Sequence, residues 1–89
     1  LPLEYVLLQN YPNPFNPTAT IEYQLPEDGH VRLGVYDILG REVASLVNQP
    51  EQAGTHKIPF DAGRLASGVY FYKIEAGLLT SVKKMLVLK

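Results

Sequence analysis

Residues 68–89, GVYFYKIEAGLLTSVKKMLVLK, contain two runs rich in aromatic and branched side chains. The runs cover residues 69–76 and 81–88, and a short turn around Gly77 separates them. Two such runs with a glycine at the break are typical of a β-hairpin. The second run continues almost to the last residue, so we expect the sequence to end within a strand. A free apolar strand tends to aggregate, so the remaining residues are expected to build the sheets that pair with it.

The composition predicts one small domain over residues 1–89 that is stabilised by apolar burial. The chain has 89 residues, no cysteine and 46 % hydrophobic residues, so neither a disulfide nor a thiolate metal site contributes. The net charge of −1 predicts no general attraction to nucleic acid or to an anionic membrane. No apolar run approaches the roughly 18 residues that a transmembrane helix needs.

The sequence begins at Leu1 without a methionine and without a signal-peptide pattern. We therefore expect it to be a piece of a larger parent protein, and if that parent is exported, its export signal lies upstream of these residues.

The proline-rich residues 10–18, NYPNPFNPT, predict a stiff crossover at the edge of a sheet. Proline lacks an amide donor and therefore does not occupy a central strand. Phe15, together with Tyr11, is expected to anchor this segment to the core. A polyproline ligand for an aromatic groove is the alternative interpretation, but strand patterns follow directly and favour a structural role.

Short alternating segments account for the other strands. Residues 3–8 predict a first strand, and residues 42–48 fit either a helical turn or a strand, of which we choose the strand because so short a helix is marginal. Residues 49–54 predict a polar loop, Pro59 predicts an edge position for its strand, and Leu65 is expected to close one end of the core. The other strands are expected at residues 19–25, 31–35 and 55–60, with turns at 26–29 and 37–40.

About seven short strands with turns roughly every ten residues predict an antiparallel β-sandwich of immunoglobulin-like architecture. The sequence lacks the cysteine and tryptophan signature of true immunoglobulin domains.

No constellation of residues indicates catalysis or a cofactor. His30 and His56 are the only histidines, and neither has partners at the spacing of a metal site. The serines lie outside nucleophile motifs, and no glycine-rich loop precedes a helix. The sequence therefore predicts a protein that is not an enzyme and needs no cofactor.

Two features of the last hairpin have two interpretations each. Residues 73–89 contain Lys73, Lys83, Lys84 and Lys89 against Glu75 alone, which suits either a lysine-guarded edge strand or a recognition surface. Tyr70 and Tyr72 share one strand face, where they either form part of the core or make an outward aromatic strip that could stack on sugars. The core position is favoured.

The ordered motifs of the chain resemble the C-terminal sorting domains of type IX secretion substrates, type A. The resemblance covers LLQNYPNPFNPTATIEYQLPEDGHVRLGVYDILGREVASLV, AGTHKIPFDAGRLASGVYFYKIEAG and VKKMLVLK. Four signatures occur in family order, at residues 10–17, 37–43, 65–72 and 83–89.

This resemblance implies a seven-stranded sandwich that carries no catalysis and acts as an export address. The parent would pass through the periplasm to the cell surface or the medium. Its partners would be the outer-membrane type IX translocon, a sortase-like peptidase and the cargo domain upstream in the same chain. By analogy with the family, the recognised residues would be Gly68, Tyr70, Lys83, Lys84 and Lys89, with Gly40 and Arg41 supporting an earlier turn.

Two other functions compete with sorting. The tyrosines and the sandwich class suit a carbohydrate-binding module, and the architecture also suits an immunoglobulin-like accessory module or spacer of a secreted enzyme.

Overall fold

A computed structural model describes residues 2–89, which form two antiparallel sheets. One sheet has the strand order β1-β2-β5 and the other has the order β4-β3-β6-β7. The predicted fold class, a β-sandwich of about seven strands, is confirmed. The strands are β1 (Val6–Leu7), β2 (Thr18–Leu25), β3 (Gly29–Tyr36), β4 (Glu42–Glu51), β5 (Gly54–Asp61), β6 (Gly68–Ala76) and β7 (Leu79–Val87).

The core lies between the sheets and follows the alternation of side chains along each strand. In β2 every second residue is buried, and the same pattern recurs in β6. Tyr70 and Tyr72 both point inward, with 9 % and 0 % of their surface exposed, so the predicted core position is confirmed. The largest side chains that are fully buried are those of Tyr23, Tyr72, Ile21, Leu25, Leu33, Ile74, Met85, Val31, Val35 and Val87.

The irregular pairing of β4 with β3 explains why the sequence of residues 42–48 resembles a helical turn. Its pairing with β3 shifts register twice, so that Leu46 and Val43 have no residue opposite them. Each extra residue breaks the alternation of a regular strand, as β-bulges do. The choice of a strand for residues 42–48 is confirmed, and the helical spacing comes from the bulges.

Two of the predicted boundaries are wrong by more than two residues. The first strand was expected over residues 3–8, but only Val6–Leu7 pairs with β2, and Leu3 is 94 % exposed. The predicted loop over residues 49–54 is also wrong, because β4 extends to Glu51 and β5 begins at Gly54. Only residues 52 and 53 carry the chain from one sheet to the other. Polar residues on a solvated edge strand look like a loop in the sequence.

Other predictions about the edges and ends of the sandwich are confirmed. Pro59 lies in β5, which is an edge strand of its sheet. Leu65 packs against the core from the loop that precedes β6.

The proline crossover (residues 10–17) is anchored by one aromatic residue. Phe15 is 3 % exposed, forms a parallel bridge with Val87 and packs edge-on against Phe60, with ring centroids 6.2 Å apart. Tyr11, the second expected anchor, is 46 % exposed, so that prediction is wrong. Its hydroxyl donates a hydrogen bond to Glu22 at the surface, while its backbone pairs with Thr20.

Alanine substitutions of these two aromatic residues test how the crossover packs on the core. Phe15→Ala is expected to lower the free energy of unfolding by about 3–5 kcal/mol, because it removes a buried ring shared by the two sheets. Tyr11→Ala is expected to cost less than about 1 kcal/mol, since the ring is half exposed. Urea unfolding measures both, and Phe15→Leu provides a milder variant if Phe15→Ala does not fold. Equal losses for the alanine variants would contradict this packing.

Candidate functional site

The last hairpin, β6 and β7, lies at one side of the four-stranded sheet and pairs without a register shift. Gly68 lies opposite Val87, and Ala76 lies opposite Leu79 at the turn. At the other end, Gly68 has φ of +151° with no atom within 4 Å of where a Cβ would be. The backbone conformation, and not lack of space, therefore favours glycine where the chain enters β6.

The outer edge of β7 is already hydrogen-bonded to the proline crossover. The amide of Phe15 donates to the carbonyl of Leu86 at 3.1 Å, and the amide of Leu88 donates to the carbonyl of Phe15 at 3.0 Å. The amide of Leu86 donates to Oδ1 of Asn13 at 3.0 Å. Nε2 of Gln9, the residue before the crossover, donates to the carbonyl of Lys84 at 2.8 Å. A partner strand could pair with this part of β7 only by displacing the crossover.

A buried tyrosine ties the start of the crossover to the hairpin. The Tyr72 hydroxyl donates to the carbonyl of Leu8 at 2.8 Å and accepts from the amide of Asn10 at 2.7 Å. The Asn10 side chain is also buried and donates to the carbonyl of Pro12. Burial raises the pKa of Tyr72 to about 12, although the hydrogen bond from the Asn10 amide acts in the opposite direction.

The loop before β6 is held by Tyr70, near the start of β6, and by Lys89, after the end of β7. The Tyr70 hydroxyl donates to the carbonyl of Ala66 at 2.8 Å. Lys89 donates through its amide to Oγ of Ser67 at 3.0 Å and through Nζ to the carbonyl of Gly63 at 2.5 Å. Tyr70 and Lys89 therefore hold the loop in place, and the Tyr70 ring is not available to a partner.

The two adjacent lysines of β7 lie on opposite faces of the sheet. Lys83 pairs in register with buried Tyr72 and is half-buried on the inward face. Lys84 pairs with Phe71 and is exposed on the outward face. Alternation along a strand therefore prevents the two charges from forming one patch.

Gly40 and Arg41 belong to a turn between β3 and β4 that one carboxylate organises. Asp37 Oδ1 accepts hydrogen bonds from the amides of Leu39 and Arg41 at 2.9 and 3.0 Å, and its Oδ2 pairs with Nε of Arg41 at 2.9 Å. The backbone hydrogen bond from Arg41 is the main reason why the pKa of Asp37 is lowered. Gly40 has φ of +84°, a conformation that glycine adopts most readily.

Both histidines of the described residues contact neighbouring polar groups. Across residues 2–89, no group of three or more His, Cys, Asp or Glu side chains is placed to hold a metal ion. His30 pairs with Asn48, while His56 stacks on Tyr23 with its Nε2 2.7 Å from the carbonyl of Gln52. The same residues contain no helix able to span a membrane.

A protein-family model, the secretion system C-terminal sorting domain, matches residues 9–88. The chain belongs to this family. The match begins one residue before the buried Asn10 and includes the crossover and both strands of the last hairpin. No curated protein and no solved structure is significantly similar to the chain. The type IX sorting domain is thus assigned by the family model, and its all-β fold agrees with the sequence-based expectation.

The contacts between the crossover and the hairpin were not predicted from the sequence. Asn10 and Tyr72 are 62 residues apart, and Asn13 and Leu86 are 73 residues apart. Periodicity and turn signals describe neighbours along the chain and contain no information about contacts at this separation. The sequence feature that could have associated these two segments was the presence of both the proline-rich and the lysine-rich motif in the resemblance to sorting domains.

Two fully buried tyrosines of the sorting domain allow a matched test of the hydroxyl contacts. Tyr72→Phe is expected to lower the free energy of unfolding by about 1–3 kcal/mol, because it leaves the Asn10 amide and the Leu8 carbonyl without their partner. The Tyr23 hydroxyl is buried without a hydrogen-bond partner among residues 2–89, so Tyr23→Phe is expected to be neutral or stabilising. Urea unfolding of both variants checks this, and a larger loss for Tyr23→Phe would refute the assignment.

Proposed function

We propose that this sorting domain directs a secreted parent protein across the outer membrane by the type IX secretion system and to the cell surface or the medium. The match of the sorting-domain family over residues 9–88 is the observation that carries the proposal. It gives the domain a role in type IX sorting, with interaction with that machinery and export from the cell. Transit through the periplasm and display at the surface are the proposed details.

The proposed partners are the outer-membrane translocon, which reads the domain, and a sortase-like peptidase, which processes the parent upstream of it. The cargo is a separate domain of the same parent. The proposed recognition residues are Gly68, Tyr70, Lys83, Lys84 and Lys89. Of these, Lys84 is exposed and suited to direct contact, while Gly68, Tyr70 and Lys89 act through the shape of the hairpin and of the loop before it.

The domain is proposed to have no catalytic activity, since sorting needs only a surface that another protein binds. The carbohydrate-binding alternative depended on outward tyrosines. Because Tyr70 and Tyr72 are buried, a sugar has no aromatic strip of these residues on which to stack.

Fusion to a reporter tests the proposal. A periplasmically exported reporter that carries residues 1–89 at its C-terminus is expected at the surface or in the medium of a host with type IX machinery. It is expected to remain in the periplasm of the same host when the translocon is deleted. Cell fractionation and protease accessibility of the reporter distinguish these locations. Retention of the fusion in the periplasm of the intact host would refute the proposal.

A double lysine variant separates recognition from folding, which a truncation of the last residues does not. Removal of residues 83–89 also removes Met85 and Val87, which are fully buried, so loss of export by that variant would not separate recognition from folding. The double variant Lys83→Gln, Lys84→Gln keeps the core and is expected to reduce export several-fold with little change in urea unfolding.

A further inference from the structure

Four of the eight outward positions of the last hairpin are apolar, where a solvated face would be mostly polar. Outward positions alternate with buried Tyr70, Tyr72, Met85 and Val87 along β6 and β7. Together with the neighbouring residue of β3, they form a surface that we call the outer strip. It consists of Tyr36, Val69, Phe71, Lys73, Val82, Lys84 and Leu86.

Register places these side chains in adjacent rows. Val69 lies opposite Leu86, and in the next row Phe71 has Tyr36 on one side and Lys84 on the other. In the third row Val82, which is 53 % exposed, lies opposite Lys73. The strip is therefore continuous across three strands, and its charged members are Lys84 and Lys73.

The opposite sheet has a different outward face. Its outward pairs are Thr20 with Pro59, Glu22 with Lys57, and Gln24 with Thr55. That arrangement, apolar inside and polar outside, is usual for a sandwich sheet in water. The apolar strip is thus confined to one face, and contiguous apolar surface on a soluble protein commonly marks an interaction site.

Two shallow cavities extend the strip at its ends. One, of about 330 Å³, lies between Phe71, Val82 and Ile38 of the turn, where Ile38 is 72 % exposed. The other, of about 200 Å³, lies between Val69, Leu86 and Pro14 of the crossover. Each cavity could accept an apolar side chain of a partner.

The charges around the strip indicate the chemistry of the partner. Lys84 has no ion pair among residues 2–89. Nζ of Lys73, the other lysine of the strip, lies 5.1 Å from the centroid of the Tyr36 ring and 3.9 Å from Glu75. The strip itself contains no carboxylate, so a partner carboxylate opposite Lys84 would complete an ion pair at an apolar contact.

We propose that the outer strip is the docking surface for a protein of the secretion machinery whose contact surface is apolar and carries a carboxylate facing Lys84. This inference rests on the proposed sorting function and specifies which surface of the domain is read. The strip fits better than the edge of β7, because the crossover already occupies that edge near Leu86 and Leu88.

A protein partner fits the strip better than two other occupants. A second copy of the domain would bring two unpaired Lys84 ammonium groups towards one apolar contact, which is electrostatically unfavourable. An anionic membrane would be attracted by Lys84, but the whole chain has a net charge of −1 and so gains little from such a surface.

Variants of the reporter fusion test the strip. Val82→Glu and Val82→Lys each place a new charge at an apolar position of the strip, and both are expected to reduce export at least tenfold. Thr80→Glu is the matched control, because Thr80 is exposed on the same strand and face but outside the strip, and it is expected to export like the unmodified fusion. Lys84→Glu is expected to reduce export, whereas Lys84→Arg keeps the charge and is expected to retain it.

Folding and alternative occupants are measured on the purified domain. Urea midpoints of all five variants are compared with that of the unmodified domain, so that loss of export counts only where the midpoint is retained. Analytical ultracentrifugation and flotation with anionic vesicles measure self-association and membrane binding. Self-association or vesicle binding that Val82→Glu abolishes would overturn the proposal of a protein partner from the machinery.

The outcomes separate this inference from the proposed function. If the unmodified fusion is exported and Val82→Glu and Lys84→Glu are exported equally well, the outer strip is not the docking surface, while the sorting function stands. If the unmodified fusion is not exported, the sorting function fails and the inference fails with it. Export that is lost in Val82→Glu, Val82→Lys and Lys84→Glu, and kept in Thr80→Glu and Lys84→Arg, supports the docking surface.

Discussion

The pairing of the proline crossover with β7 is the contact on which the rest of the sorting domain depends. β7 is the last strand in its sheet, so its outer edge would otherwise present unpaired backbone groups to solvent. Phe15 bridges to Val87 and places its ring in the core, so one residue both closes the edge and joins the sheets. The proline-rich and lysine-rich motifs are therefore two parts of one structural unit.

This closure determines which surfaces of the hairpin remain for recognition. The inward face is core, and the edge of β7 near Leu86 is paired with the crossover. The outward face is left, and there the side chains of Phe71 and Val82 lie beside Lys84. The proposed docking surface is a folded surface, because alternation along β7 places Lys83 on the other side of the sheet. Its residues are adjacent across strands and are separated in the sequence.

The sequence was sufficient for the fold class, since alternation and turn signals are local properties. It predicted the hairpin around Gly77, the edge position of Pro59 and the burial of Tyr70 and Tyr72. It left residues 42–48 ambiguous between a strand and a helical turn, because the bulges at Val43 and Leu46 interrupt the alternation that identifies a strand. The contact of Phe15 with Val87 could not be predicted from the sequence, because no local pattern indicates a pairing of distant segments.

Amide hydrogen exchange of the intact domain tests the closure of β7 most directly. The amides of Phe15, Leu86 and Leu88 are each hydrogen-bonded across the crossover contact. We expect their exchange to be slowed to a degree similar to that of central β6 amides, since opening them requires displacement of a segment anchored in the core. Exchange of these three amides at the rate of solvent-exposed backbone, with β6 still protected, would contradict the account.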